Sequence, residues 1–210
     1  MKSVKIVFVK YPEEGKVKTR LAQETSLAFA TGIYRLMLNR LKAIFKPYDN
    51  IIYFIDRAEK LKDFSKIAKG YQVEAQEGND LGEKMYNAFF YVFKHNDYDS
   101  AVLIGSDIPG ISKKVILDAE KSLLSSNFTL GPSEDGGYYL IGIQKGYLNK
   151  SIFTGIKWSN SSVFSETVKR IEKIGTLSIL KKLRDIDTLN DLMVEARSDN
   201  ELRSYIKENL

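Results

Sequence analysis

Four segments of the chain carry side chains whose types and spacing suit phosphate and metal chemistry. The first is Lys10-Tyr11-Pro12-Glu13-Glu14-Gly15-Lys16-Val17-Lys18-Thr19-Arg20-Leu21, where Lys10, Lys16, Lys18 and Arg20 place four cations within eleven residues. Pro12 and Gly15 break the backbone there; a flexible loop lets amides approach a phosphate while Lys and Arg neutralise its oxygens. Val17 stands where the phosphate loop of NTPases needs glycine, and no dinucleotide-binding glycine fingerprint occurs elsewhere. An exposed basic loop explains the same residues, and substitution of Lys18 or Arg20 in such a loop would change stability by less than about 0.5 kcal/mol. The second segment, Gly105-Ser106-Asp107-Ile108-Pro109-Gly110, follows an apolar run. An acid at the end of a buried strand is costly unless paired. Mg²⁺ would suit it, since that ion takes one or two carboxylates plus substrate phosphate oxygens. Capping of the Pro109-Gly110 turn is the alternative.

In the third segment, Gly131 to Gly142, Glu134 and Asp135 precede Gly136-Gly137. Either acid can position an acceptor or act as a general base, and Asp-Gly-Gly is equally an ordinary turn. In the fourth, Arg184-Asp185-Ile186-Asp187-Thr188, the two acids occupy alternate positions. Alternate residues of an extended segment point the same way, so Asp185 and Asp187 can converge on one ion. Thr188 with Asp191 also fits a helix capping box.

Composition narrows the chemistry to these groups. The 210 residues include no cysteine and one histidine, His95, which excludes disulfides, cysteine–zinc sites, thiol nucleophiles and paired-histidine metal motifs. Hydrophobic residues at 43% and only 4 prolines exclude a disordered chain. The net charge of +5 suits an anionic partner. Its lysines are interspersed with acids and no DNA or RNA recognition motif appears, which argues against a nucleic-acid binder. The N-terminus runs straight into Val4–Val9, too short and strand-like for a signal peptide, and no run approaches a membrane span. A cytoplasmic location is the expectation.

The elements that must position these residues alternate. Val4–Val9, Ile51–Ile55, Tyr71–Ala75, Ala101–Ile104 and Tyr138–Ile143 read as strands. Leu27, Ala30, Tyr34, Met37, Leu41 and Phe45 recur at helical spacing, as do Leu81, Met85, Phe89 and Val92. Further helices are expected over about 113–124 after Ser112, around Val163, Val168 and Ile171, and from Leu189 onward. The order predicts a single α/β domain over residues 1–210, Rossmann-like, with a mixed but mainly parallel sheet flanked by helices. Such sheets place ligands beyond the carboxyl ends of their strands.

These segments, in this order, resemble a known family: small bacterial and archaeal candidate glycosyltransferases with the A-type, nucleotide-diphospho-sugar transferase fold. The resemblance runs through residues 10–21, Gly78-Asn79-Asp80-Leu81-Gly82-Glu83-Lys84-Met85, residues 105–110 and 131–142, Trp158-Ser159 and residues 184–188. The architecture is also similar to that of small nucleotidyltransferases, including guanylyltransferases acting on phosphorylated three-carbon acids. The resemblance implies that Lys10, Gly15, Lys18 and Arg20, with Asn79 and Asp80, contact the nucleotide and its phosphates. It implies that Asp107, Asp185 and Asp187 ligate Mg²⁺ or Mn²⁺; Asn79 or Asp80 also fits an N-cap for the following helix. Gly105-Ser106-Asp107 departs from the Asp-x-Asp of typical A-type glycosyltransferases. The implied activity is metal-dependent transfer from a nucleotide-activated donor to a small acceptor. It is glycosyl transfer from an NDP-sugar, with nucleotidyl transfer from an NTP to a small phosphorylated acceptor as the alternative, and with Asp135 or Glu134 as base.

Overall fold

The computed structural model describes residues 1–45, 50–158 and 160–210, so Ser159 of the Trp158-Ser159 pair lies outside the described residues. Within them a seven-stranded sheet has the order β3-β2-β1-β4-β6-β5-β7. Its strands are β1 (Ser3–Val9), β2 (Ile51–Ile55), β3 (Gln72–Ala75), β4 (Ser100–Gly105), β5 (Phe128–Pro132), β6 (Tyr138–Gln144) and β7 (Leu177–Ile179). β1 pairs in parallel with both β2 and β4, β2 with β3, and β5 with β7; β6 is antiparallel to β4 and β5.

Both faces of the central strands are buried, which is why they read as unbroken apolar runs rather than alternating ones. Ile6, Phe8, Ile52, Phe54 and Leu103 pack with Met85, Phe89 and Val92 of α4 (Leu81–His95) and Ile171 of α6 (Val163–Ile171). Val7, Val9, Tyr53, Ile55, Val102 and Ile104 pack with Leu38 and Leu41 of α2 (Leu27–Ile44), Phe64 of α3 (Leu61–Ala68), and Ile116 and Ala119 of α5 (Lys113–Ser122).

A third apolar cluster positions the C-terminal part of the chain. Phe29, Ile33, Tyr34 and Met37 of α2 gather Val17, Leu21 of α1 (Thr19–Glu24), Ile186, Leu192 of α7 (Leu189–Glu195) and Leu202 of α8 (Asn200–Asn209). Arg40 fastens the same contact by gripping both carboxylate oxygens of Asp199, with Nη2 to Oδ1 at 2.7 Å, and by bonding Glu201. The Thr188–Asp191 capping box forms and starts α7.

The expected strands and long helices are present. The chain adds α1 inside the basic segment, α3, β5 and the edge strand β7, and divides the last helical region into α7 and α8. Among the described residues no helix is long and apolar enough to cross a membrane.

Candidate functional site

The sheet order reverses between β1 and β4: the chain runs outward from β1 through β2 to β3, then returns to pair β4 on the other side of β1. At such a reversal the loops leaving the two strands part and open a crevice. That crevice is a cleft of about 200 Å³ lined by Lys10, Val17, Lys18, Thr19, Arg20, Tyr34, Asp107 and Asp187. Because β5 and β7 run in the same direction as β4, their carboxyl ends reach the same edge. Asp107 after β4, Asp135 after β5, and Asp185 with Asp187 after β7 therefore leave the sheet together. Acids from three segments far apart in sequence are thus delivered to one side by the topology.

Lys18 is the centre of this arrangement. Its Nζ lies 3.1 Å from Asp107 Oδ2 and 3.6 Å from Asp187 Oδ1, and its side chain is 4% exposed. Its backbone is left-handed, with φ 47° and ψ 45° at the N-cap of α1. That conformation costs a residue with a Cβ roughly 1 kcal/mol. The solvated-loop expectation is thus corrected for Lys18, whose neighbours Val17 and Leu21 anchor it in the third cluster. It fits Arg20, which is 71% exposed and holds Asp187 Oδ2 at 3.3 Å from the solvent side. Gly15 takes φ +74° in the turn closed by the Lys16 N–H to Glu13 carbonyl bond. It occupies the third position of that turn, which needs positive φ in a type II turn.

Tyr34 joins the two strand ends, and its periodicity alone marks it only as one of an apolar stripe. Its hydroxyl accepts from the Lys10 N–H at 2.8 Å and donates to the Lys10 carbonyl at 3.1 Å. It lies 2.8 Å from the Ser106 hydroxyl beside Asp107. Burial pushes the phenol well above its usual pKa, so it stays neutral and keeps its proton for these bonds. The signal in the sequence is a tyrosine, not a phenylalanine, inside an apolar stripe, because a buried phenol needs a partner. Tyr34→Phe should lower stability by about 1–2 kcal/mol, since the buried Ser106 hydroxyl and the part-buried Lys10 backbone groups lose a partner. Denaturant unfolding with an unchanged slope checks this.

The acids divide by environment. Burial opposes ionisation of Asp107, but the hydrogen-bonded Lys18 ammonium and the nearby Lys10 charge outweigh it, and the carboxyl falls below its usual range. Asp185 is the opposite case: burial first, then the charges of Asp135, Asp187 and Asp107, push it up to about 6. The unfolded value is near 4, so ionising Asp185 opposes folding progressively as pH rises from about 4 through 6. Asp185→Asn should therefore raise stability at pH 8 by about 1–2 kcal/mol, after allowance for solvent screening, and by nothing at pH 4. Thermal melts at the two pH values read the difference.

Asp135 is oriented by two donors, the Ser133 hydroxyl and the Gly137 N–H at 2.9 Å. The structure places Glu134 elsewhere: it pairs with Arg184, which also lies 3.6 Å from Asp191 and 3.7 Å from Glu195. Glu134 thus braces the loop after β5 against α7 and makes no bond to Lys18 or the aspartates. Asp80 caps α4 by accepting from the Glu83 N–H at 2.8 Å, while Glu83 accepts from the Asn79 N–H and Nδ2, both at 3.0 Å. Neither Asn79 nor Asp80 lines the cleft. Trp158 packs edge-on to Tyr138 and against Gly82, where a Cβ would sit 2.6 Å from the indole.

Carboxylates are the donor type that a hard divalent cation takes, and this side of the sheet supplies three of them in Asp107, Asp185 and Asp187. Asp107 and Asp187 reach one ammonium between them, and Asp185 carries a half-buried carboxylate whose own neighbours are negative. Among the described residues no three acidic or imidazole groups stand close enough to hold an ion in this arrangement, in which Lys18 lies between two of them.

The chain is similar over its whole length to the crystal structure of a candidate nucleotide-diphospho-sugar transferase from Desulfovibrio desulfuricans G20, at 32% identity, a TM-score of 0.92 and 96% coverage of that chain. More distant likenesses carry the fold alone. A cytidylyltransferase from Leptospira borgpetersenii serovar Hardjo-bovis matches at 18% identity and TM-score 0.59, covering 100% of this chain and 95% of that one. A Mycobacterium tuberculosis H37Rv protein in complex with manganese matches at 13% and 0.57, covering 95% and 100%. No curated protein matches. The family model described as "Uncharacterized protein conserved in bacteria (DUF2064)" matches residues 42–160, the part that contains Asn79, Asp80, Asp107 and Asp135. With more than half its length under that match, the chain belongs to the DUF2064 family, built on the nucleotide-diphospho-sugar transferase fold.

Proposed function

We propose that the protein is a Mg²⁺- or Mn²⁺-dependent transferase that binds the phosphates of a nucleotide-activated donor in the cleft between β1 and β4, and transfers its sugar to a small acceptor. The observation that carries the reading is the cleft itself: Lys10, Lys18 and Arg20 beside Asp107 and Asp187 at the topological switch point. Cations on this loop neutralise phosphate oxygens, and carboxylates opposite them suit the metal that accompanies the phosphates. Asp107, Asp185 and Asp187 would hold the ion, which when bound offsets the charge of a departing diphosphate. The 32%-identical relative supports the sugar-transfer reading.

The chain's own groups divide the work. Lys18 and Arg20 take up negative charge that grows on the leaving phosphate oxygens. Asp135, aimed by Ser133 and Gly137, accepts the proton of the acceptor hydroxyl. Tyr34 ties the Lys10 backbone to the Ser106 hydroxyl, and so holds the two strand-end loops at a fixed spacing.

A second reading, nucleotidyl transfer from an NTP with release of pyrophosphate, is favoured by Gly105. In the Asp-x-Asp arrangement of A-type sugar transferases an acid would stand at Gly105; here Gly105 has none and the Ser106 hydroxyl is committed to Tyr34. The Leptospira cytidylyltransferase shares this fold. Thermal melts with Mn²⁺ across UDP-sugars, GDP-sugars and the four NTPs separate the two. Sugar transfer expects the larger shift from one NDP-sugar, nucleotidyl transfer from one NTP. No shift from any would overturn both.

A further inference from the structure

We propose that Lys18 is the resident cation of the acidic cluster, and that a divalent ion enters together with nucleotide phosphates, to which the Lys18 ammonium then moves; this rests on the metal-dependent reading above. The ammonium lies 3.1 Å and 3.6 Å from carboxylates of two separate segments, and its side chain is 4% exposed while those of Asp107 and Asp187 are 44% and 43% exposed. All three line the cleft, but the acids are nearly half exposed while the cation between them is shielded from solvent. Its backbone is held in the left-handed region by flanking residues Val17 and Leu21, 1% and 0% exposed. The other described non-glycine residue with positive φ, Lys69, sits at an ordinary helix end before Gly70. Strain kept by buried neighbours is characteristic of a residue aimed at a task.

An ammonium and a divalent ion cannot share the same carboxylate oxygens, because like charges a few ångströms apart repel strongly. Metal arriving alone must displace Lys18 from both carboxylates and brings no anion to replace them. Metal arriving with a diphosphate brings the anion with it. Arg20, already on the solvent side of Asp187, remains to meet the outer phosphate oxygens. Metal and nucleotide binding are therefore coupled, and the coupling is reciprocal.

The test titrates the full chain with Mn²⁺ alone, then with UDP, CDP, GDP or ADP in the presence of Mn²⁺. Lys18→Gln should bind Mn²⁺ alone about 10-fold more tightly than wild type, because its competitor is gone, yet bind the nucleotide about 10-fold more weakly. Lys18→Arg, which keeps the charge, should match wild type with Mn²⁺ alone. A folded Lys18→Gln that binds Mn²⁺ alone no better than wild type overturns the proposal, since a merely structural Lys18 would weaken both ligands. Should Lys18→Gln not fold, lysine-ammonium NMR on wild type decides. The signal missing from Lys18→Arg should hold still on adding Mg²⁺ alone and move on adding Mg²⁺ with the nucleotide, and movement with Mg²⁺ alone overturns it. If wild type binds none of the four nucleotides, the function reading fails, while the Mn²⁺-alone comparison still decides the role of Lys18.

Discussion

Asp107→Asn should weaken metal-dependent nucleotide binding by about 100-fold, equivalent to about 2.7 kcal/mol, while the protein stays folded. Asn keeps the size of the side chain and still accepts from Lys18, so only the charge is removed. The ion pair lost has one partner 44% exposed, and its loss should lower stability by no more than about 1 kcal/mol. The carboxyl lies below its usual range, so its stabilising effect is present above about pH 4 and fades as pH falls through the folded value. Wild type and variant should therefore differ slightly in melting temperature at pH 7 and converge in acid. Calorimetric titration of the nucleotide in Mn²⁺ reads the main effect; wild-type affinity in the variant would remove Asp107 from the site.

Ile186→Ala should give the largest loss of stability of any change near the cleft. Ile186 lies between the two acids and is fully buried in the third cluster with Leu21, Tyr34, Leu192 and Leu202. Its burial turns the side chains of Asp185 and Asp187 away from that cluster. Truncating a buried isoleucine to alanine costs about 2–5 kcal/mol through lost transfer energy and the cavity left behind. For a chain of this length that lowers the melting temperature by roughly 5–15 °C. Ile186→Val should cost only about 0.5–1.5 kcal/mol. If the cluster positions the acids, the alanine variant also loses metal-dependent nucleotide stabilisation measured well below its melting point, and the valine variant keeps it. Equal metal-dependent shifts in all three proteins would separate the anchor from the site.

How much of this was legible in the chain depends on where each signal is written. β1, β2 and β4 are visible because both of their faces are buried and apolar residues run without interruption. β5 is not, since Thr129, Gly131 and Pro132 dilute its pattern, and β7 has three residues with Ile179 exposed at the sheet edge. In α3 only Phe64 and Ala68 are buried among lysines, an aspartate and a serine, too thin a stripe to stand out. The acids and bases of the cleft were identifiable by type, since an acid after an apolar run and a crowded basic loop are local features. Their pairing was not. Lys18 looks like any loop lysine until the fold sets it against Asp107, 89 residues away. Glu134 and Asp135, adjacent and alike in sequence, part because Arg184 claims one and Ser133 the other. The capping of α4 by Asp80, by contrast, needs only residues within one turn, and the sequence contains all of it.

The most direct test is calorimetric titration of wild-type protein with a nucleoside diphosphate, once in Mn²⁺ and once in chelator. The cleft described above, with Asp107 and Asp187 beside Lys10, Lys18 and Arg20, should bind the nucleotide in Mn²⁺ and lose at least about 10-fold in affinity in chelator. Equal affinity in both would contradict it, leaving phosphate recognition to Lys10, Lys18 and Arg20 alone.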